Sequence, residues 1–148
     1  MIDTSRIGGR IPLMLLLLRL SVFIALIVWV FDKFLYPDHS RQIFQVFYGV
    51  GGVGDAPIYI LGAVQFLIVI GFVIGFKKTI TYGAVLFMHL LSHLVSIPRF
   101  LDPYTAPNLL FFASWPMLAA CFAVFYLRDL DTLWTVDRSS NRHEKAHL

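Results

Sequence analysis

Apolar side chains gather into four long runs with short polar punctuation between them: Ile11 to Phe31, Ile58 to Phe76, Ile80 to Ile97 and Leu109 to Tyr126. Each is close to the roughly 20 residues that a helix needs to cross about 30 Å of hydrocarbon. The pattern predicts an all-α integral membrane protein: an antiparallel four-helix bundle over residues 1–135, with a polar tail over 136–148. Only Lys77, Lys78 and Thr79 divide the second run from the third, so those helices are expected to be antiparallel neighbours. Pro98, Pro103 and Pro107 stop helix between the third and fourth runs and favour a stiff, irregular connection. In the longer stretch from Asp32 to Pro57, the spacing of Ile43, Phe44, Phe47 and Tyr48 predicts a short amphipathic helix lying at the membrane surface.

Composition agrees with the pattern. With 58% hydrophobic and 14% charged residues and a mean hydropathy of +0.75, the chain is not an ordinary soluble domain. Four helices use most of its 148 residues, which leaves almost nothing to build a soluble catalytic domain, so any chemistry is expected within the bundle, in its loops or in a partner protein; no catalytic residue is assigned, and the chain is not expected to be an enzyme on its own. The first run is too long for the core of a secretory signal, and Asp32, Lys33, Phe34 and Leu35 behind it offer no small-residue cleavage site. It is expected to remain as a helix. Basic residues then set the orientation: Arg6, Arg10, Lys77, Lys78, Arg128, Arg138, Arg142 and Lys145 fall on one side, and Lys33, Arg41 and Arg99 on the other. Both termini are therefore expected in the cytoplasm. The pI near 9.2 follows from that asymmetry and calls for no nucleic acid. A lone Cys121 inside the fourth run excludes an intramolecular disulfide and reads as a small buried apolar residue.

Three local patterns have plain structural explanations. Gly49 to Gly54 satisfies the spacing of a dinucleotide-binding turn, but that motif works only between a strand and a helix, and here it falls in an outer loop. Gly71 and Gly75 form a GxxxG pair, which lets a neighbouring backbone approach the second helix, from within the chain as the leading expectation or across a dimer seam as the alternative. Pro116 is expected to kink the fourth helix beside Trp115, with Ser114 available to satisfy a freed backbone group.

Arg19, Gln65, His89 and His93 lie too deep in the apolar runs to be helix ends. At about 1.5 Å per residue, His93, Gln65 and His89 fall roughly 6, 10 and 12 Å below the outer boundary, in one layer. Arg19 sits lower, with a side chain long enough to climb about one turn, and Lys33 returns to nearly the same face of the first helix. Unpartnered arginine in hydrocarbon costs several kcal/mol, and no Asp or Glu lies within the four runs. The acceptors to expect are Gln65, a neutral imidazole, helix carbonyls, or an oxygen of a bound ligand. His89 and His93 share a helical face with Tyr82 and Ser96, so the stripe should look into protein and not into lipid. Two imidazoles on one helix lack a third metal ligand and cannot flank a haem from both sides; no metal is expected. A quinone, which needs an apolar slot and one or two hydrogen-bond donors, is compatible.

The L-x-R-L segment at Leu17 to Leu20, the Phe31-Asp-Lys-Phe34 turn, Gly62-Ala-Val-Gln65, the Lys77-Lys78 turn and the ending Leu127-Arg-Asp-Leu-Asp131 together resemble the DoxX-like family of small four-helix bacterial membrane proteins. The resemblance covers about residues 15–131. It implies a multi-pass protein of the bacterial inner membrane, an accessory subunit of a redox or respiratory complex, with membrane or extracytoplasmic proteins and the lipid bilayer as partners. It also implies that Arg19, Lys33 and Gln65 belong to the polar core. Gln65 stands where a glutamate is expected in many relatives, and an amide cannot exchange a proton as a carboxylate does; His89 or His93 would have to take that role. The alternative is an oxidoreductase component that holds quinone through Arg19, Lys33, Gln65, His89 and His93, and a weaker one is a small-solute transporter.

Overall fold

The structure is a computed structural model that describes residues 4–137. It is all-helical, with no strand among the described residues. In chain order the helices are α1 (Thr4–Leu35), α2 (Pro37–Tyr48), α3 (Asp55–Val73), α4 (Lys78–Val95), α5 (Ile97–Leu101) and α6 (Ser114–Tyr126), with 3-10 turns at Asn108–Ala113 and Arg128–Leu130. Among the described residues three segments are long and apolar enough to cross a membrane: Gly9–Leu35, Asp55–Val73 and Asn108–Tyr126. The expected third span, α4, is not among them, because two histidines, Lys78 and several hydroxyl residues dilute its apolar content.

The four long helices pack in a ring in which α1 meets α3, α3 meets α4, α4 meets α6, and α6 returns to α1. Their shared core follows from spacing. Leu15, Val22, Leu26 and Val30 recur along one face of α1, and they meet Val69 and Phe72 of α3, Tyr82 and Val85 of α4, and Cys121 and Val124 of α6. Pro12 lies inside α1 without ending it. The surface helix predicted around Ile43 to Tyr48 is α2, which starts on Pro37 and ends at Gly49, whose φ of 67° only glycine adopts without strain.

Two corrections concern local geometry. Ser114 begins α6 after a 3-10 turn, so Pro116 sits in the first helical turn and not at a mid-helix kink. There its missing N–H is one of the donors that lack an intrahelical partner in any case. The α3–α4 turn is Ile74 to Lys77, one residue group earlier than the polar punctuation suggested. Gly75 takes φ 64° in it, and the Phe76 amide donates back to the Gly71 carbonyl at 2.8 Å, closing the end of α3.

The chain does not leave the bundle as a polar tail at residue 136. After the Arg128–Leu130 turn it runs beneath the α3–α4 turn, where the Val136 amide donates to the Ile74 carbonyl at 2.8 Å and the Asp137 amide to the Gly75 carbonyl at 3.2 Å. Residues 131–137 form a strap across this end. The glycine pair is spent on these approaches: a Cβ on Gly71 would stand 2.8 Å from Thr81 Cγ2, and one on Gly75 only 2.6 Å from Thr135 Cγ2. Arg138 to Leu148, including His143 and His147, lie outside the described residues.

Candidate functional site

Two polar clusters occupy the bundle, one at each half. The first is built on Arg19, which the α1 core face carries inward to complete burial. Its Nη1 donates to Asp131 Oδ2 at 2.7 Å and to the Tyr82 hydroxyl at 3.0 Å. Its Nη2 donates to the carbonyls of Leu133 at 2.6 Å and Trp134 at 3.2 Å. Tyr82 in turn donates to Asp131 Oδ2 at 2.8 Å, and Lys78 Nζ donates to the Asp131 backbone carbonyl at 2.6 Å. The carboxylate missing from the apolar runs therefore arrives from beyond them. Gln65 and the imidazoles are not the acceptors of Arg19, and Arg19 does not climb to their layer. It binds beside Tyr82, about two turns of α4 inward from His89.

This arrangement explains one backbone oddity and one unusual burial. Trp134 has φ 50°, a left-handed conformation that is costly for a bulky residue. It turns two successive carbonyls, Leu133 and Trp134, toward one guanidinium, whose planar fork suits convergent acceptors. Lys78, expected in the turn on the cytoplasmic side, is 6% exposed because its ammonium caps the same strap. Among the described residues Arg19 Nε alone of its nitrogens has no partner, so the guanidinium is consumed as an internal tie.

The second cluster is centred on Ser114. Its hydroxyl gives its single proton to the Phe111 carbonyl at 2.7 Å, so His93 Nδ1–H donates to Ser114 Oγ at 3.0 Å. One turn inward, His89 Nε2 lies 3.2 Å from the Ser114 carbonyl and, facing an obligatory acceptor, is the donor. His93 packs edge-on against Trp115 at 4.3 Å between centroids and tilted against Phe100 at 4.7 Å, and its buried Nε2 has no hydrogen-bond partner among the described residues. The stripe of Tyr82, His89, His93 and Ser96 does face protein. Ser114→Ala should cost about 1–3 kcal/mol, the penalty of orphaning a buried donor. A lowered midpoint of thermal unfolding in detergent would show it, and an unchanged midpoint would mean that His93 finds no partner in Ser114.

The remaining candidates stand apart. Gln65 is half-buried on α3 and makes no hydrogen bond to Arg19, His89 or His93 among the described residues. Lys33 donates to the Trp29 carbonyl of its own helix at 3.0 Å. Between α1 and α3 a shallow groove of about 360 Å3 is lined by Phe31, Phe34, Ala63, Phe66 and Leu67. None of the five polar candidates lines it, and its walls carry no side-chain donor.

Sequence reasoning missed Asp131, Lys78 and Ser114. Asp131 had one available signal: a buried arginine requires an anion, and the nearest unassigned carboxylates lie just past the fourth run. A third, partly exposed set fastens the opposite end of the bundle, where His39 and Ser40 contact the Asp32 carboxylate and Arg41 bridges Asp38 and Asp55. The hydrogen bond that Arg41 donates to Asp38 raises the Arg41 pKa above its ordinary value. No group of three or more His, Cys, Asp or Glu residues suited to a metal occurs among the described residues. The chain matches no family model, no characterised protein and no solved structure.

Proposed function

We propose that this chain is an accessory subunit of a bacterial inner-membrane complex, with α1, α3, α4 and α6 as four spans and both termini in the cytoplasm. The DoxX-like resemblance frames this reading, and a redox or respiratory assembly is the partner it implies. One observation carries it. Only 11% of the Asn108–Tyr126 span is buried within the chain, against 28% for each of the other two apolar spans. Trp115, Phe122 and Tyr126 are left exposed along it, Phe122 and Tyr126 stacked on each other. Such a face is compatible with lipid, and a helix with so little internal packing gains most from a neighbouring membrane helix. The polar residues of the core, by contrast, are largely occupied with one another.

A photo-crosslinking residue at Phe122, used in native membranes and followed by mass spectrometry, should capture one specific membrane protein, while the same residue at Ile60 on α3 should not. Capture of lipid alone at Phe122 would sink the accessory reading. A second reading, an oxidoreductase component that holds quinone, is favoured by the unpartnered His93 Nε2 in its aromatic surround. Protein purified in mild detergent should then carry quinone that His93→Ala loses while its circular dichroism is kept. Equal quinone in parent and variant would remove His93 from that role.

A further inference from the structure

The strap presents an apolar outer surface that the bundle does not use. Trp134 is 76% and Val136 66% exposed, and Leu130, Leu133 and Phe76 stand out beside them. The indole is not on a loose end. The Trp134 carbonyl is held by Arg19 and the Val136 amide by Ile74, so the side chain between these anchors is aimed outward by fixed backbone. Exposing a large aromatic in water from a rigid segment wastes apolar area, whereas tryptophan is favoured where hydrocarbon meets headgroups.

Charge around this surface selects the occupant. Lys77 is exposed on the adjoining turn, and Arg128 lies beside it with Nε 3.3 Å from Thr79 Oγ1. Arg10 is exposed farther along α1. Asp129 and Asp137 oppose them, leaving an excess of positive charge at this end. The outer end is balanced the other way, since Asp32, Asp38, Asp55 and Asp102 stand against Lys33, Arg41 and Arg99.

We propose that residues 130–136 are a membrane-surface anchor, seated in the headgroup layer of anionic phospholipids with Trp134 as the inserted side chain and Lys77 and Arg128 as the phosphate-facing cations. Interfacial anchoring combines an aromatic body in the acyl boundary with cations attracted to a negative surface, and neither group alone holds as well. The proposal rests on the membrane reading above, but not on which side the strap occupies, because a vesicle of symmetric composition offers the same headgroups to both ends.

The chain has three tryptophans, Trp29, Trp115 and Trp134, so Trp29→Phe with Trp115→Phe leaves Trp134 as the sole reporter in full-length protein. Reconstituted in phosphatidylcholine vesicles containing phosphatidylglycerol, it should emit blue-shifted and be quenched more strongly by lipids brominated near the headgroup than at the chain end. Quenching should weaken without phosphatidylglycerol, and Lys77→Asn with Arg128→Gln should remove that dependence. Quenching by aqueous acrylamide as free as for indole in solution, with the protein still resistant to alkaline extraction, overturns the anchor while leaving the membrane reading intact. Indifference to phosphatidylglycerol overturns it equally. Release of the protein by alkali overturns both.

Discussion

Asp131→Ala should lower the unfolding free energy by about 3–5 kcal/mol, the usual consequence of removing one partner of a buried ion pair. Arg19 and Asp131 are both fully buried, so the guanidinium left behind can recover solvation only by opening the strap. Tyr82 loses its acceptor in the same step. The midpoint of thermal unfolding in detergent reads the loss, and limited proteolysis after residue 131 should accelerate with it. Arg19→Met combined with Asp131→Leu should recover part of the stability, because the buried guanidinium goes with its carboxylate, while Lys78, the Tyr82 hydroxyl and the Leu133 and Trp134 carbonyls still lose a neighbour. A single variant that unfolds within about 0.5 kcal/mol of the parent, the range of an ordinary surface substitution, would show that the tie does not hold this end together.

Gly71→Ala should lower stability by about 1–3 kcal/mol, the cost of overpacking a close contact. The added Cβ would fall 2.8 Å from Thr81 Cγ2. Thr81 cannot simply turn away, since its hydroxyl donates to the Phe76 carbonyl at 2.8 Å and fixes the rotamer. Thr81→Ser keeps that hydrogen bond and removes the offending methyl; the next contact, Thr81 Cβ, is at 3.8 Å. Thr81→Ser should therefore rescue Gly71→Ala, and a double-mutant cycle without coupling would show that the α3–α4 approach is looser than described.

Periodicity made the helices legible because burial imposes it: Leu15, Arg19, Val22, Leu26 and Val30 are one face whatever surrounds them. It also placed His93 and Ser96 on the protein side of α4 correctly. The same reading failed for the partner of Arg19 because periodicity describes helices, and Asp131 lies in a segment with none. Depth counting grouped Gln65 with the histidines, but equal depth on different helices does not set distance between side chains. Helix bounds shifted outward for α1, to Thr4–Leu35, since hydropathy marks where apolar residues stop and not where backbone hydrogen bonds do. Pro116 misled for a related reason: an apolar run gave no sign that Asn108–Ala113 is wound as a 3-10 turn, leaving Pro116 near a helix start.

The tie between Arg19 and Asp131 joins residues 112 positions apart, and a chain is made from one end. At about 5–20 residues per second, α1 waits on the order of ten seconds for its carboxylate. In the four-span reading, the first helix enters the bilayer carrying a charge that nothing yet neutralises, and only the last residues of the domain relieve it. Assembly thus has a built-in final step. On that reading, a chain stopped before Asp131 would keep in the bilayer an arginine without its carboxylate, a cost that the completed protein no longer bears.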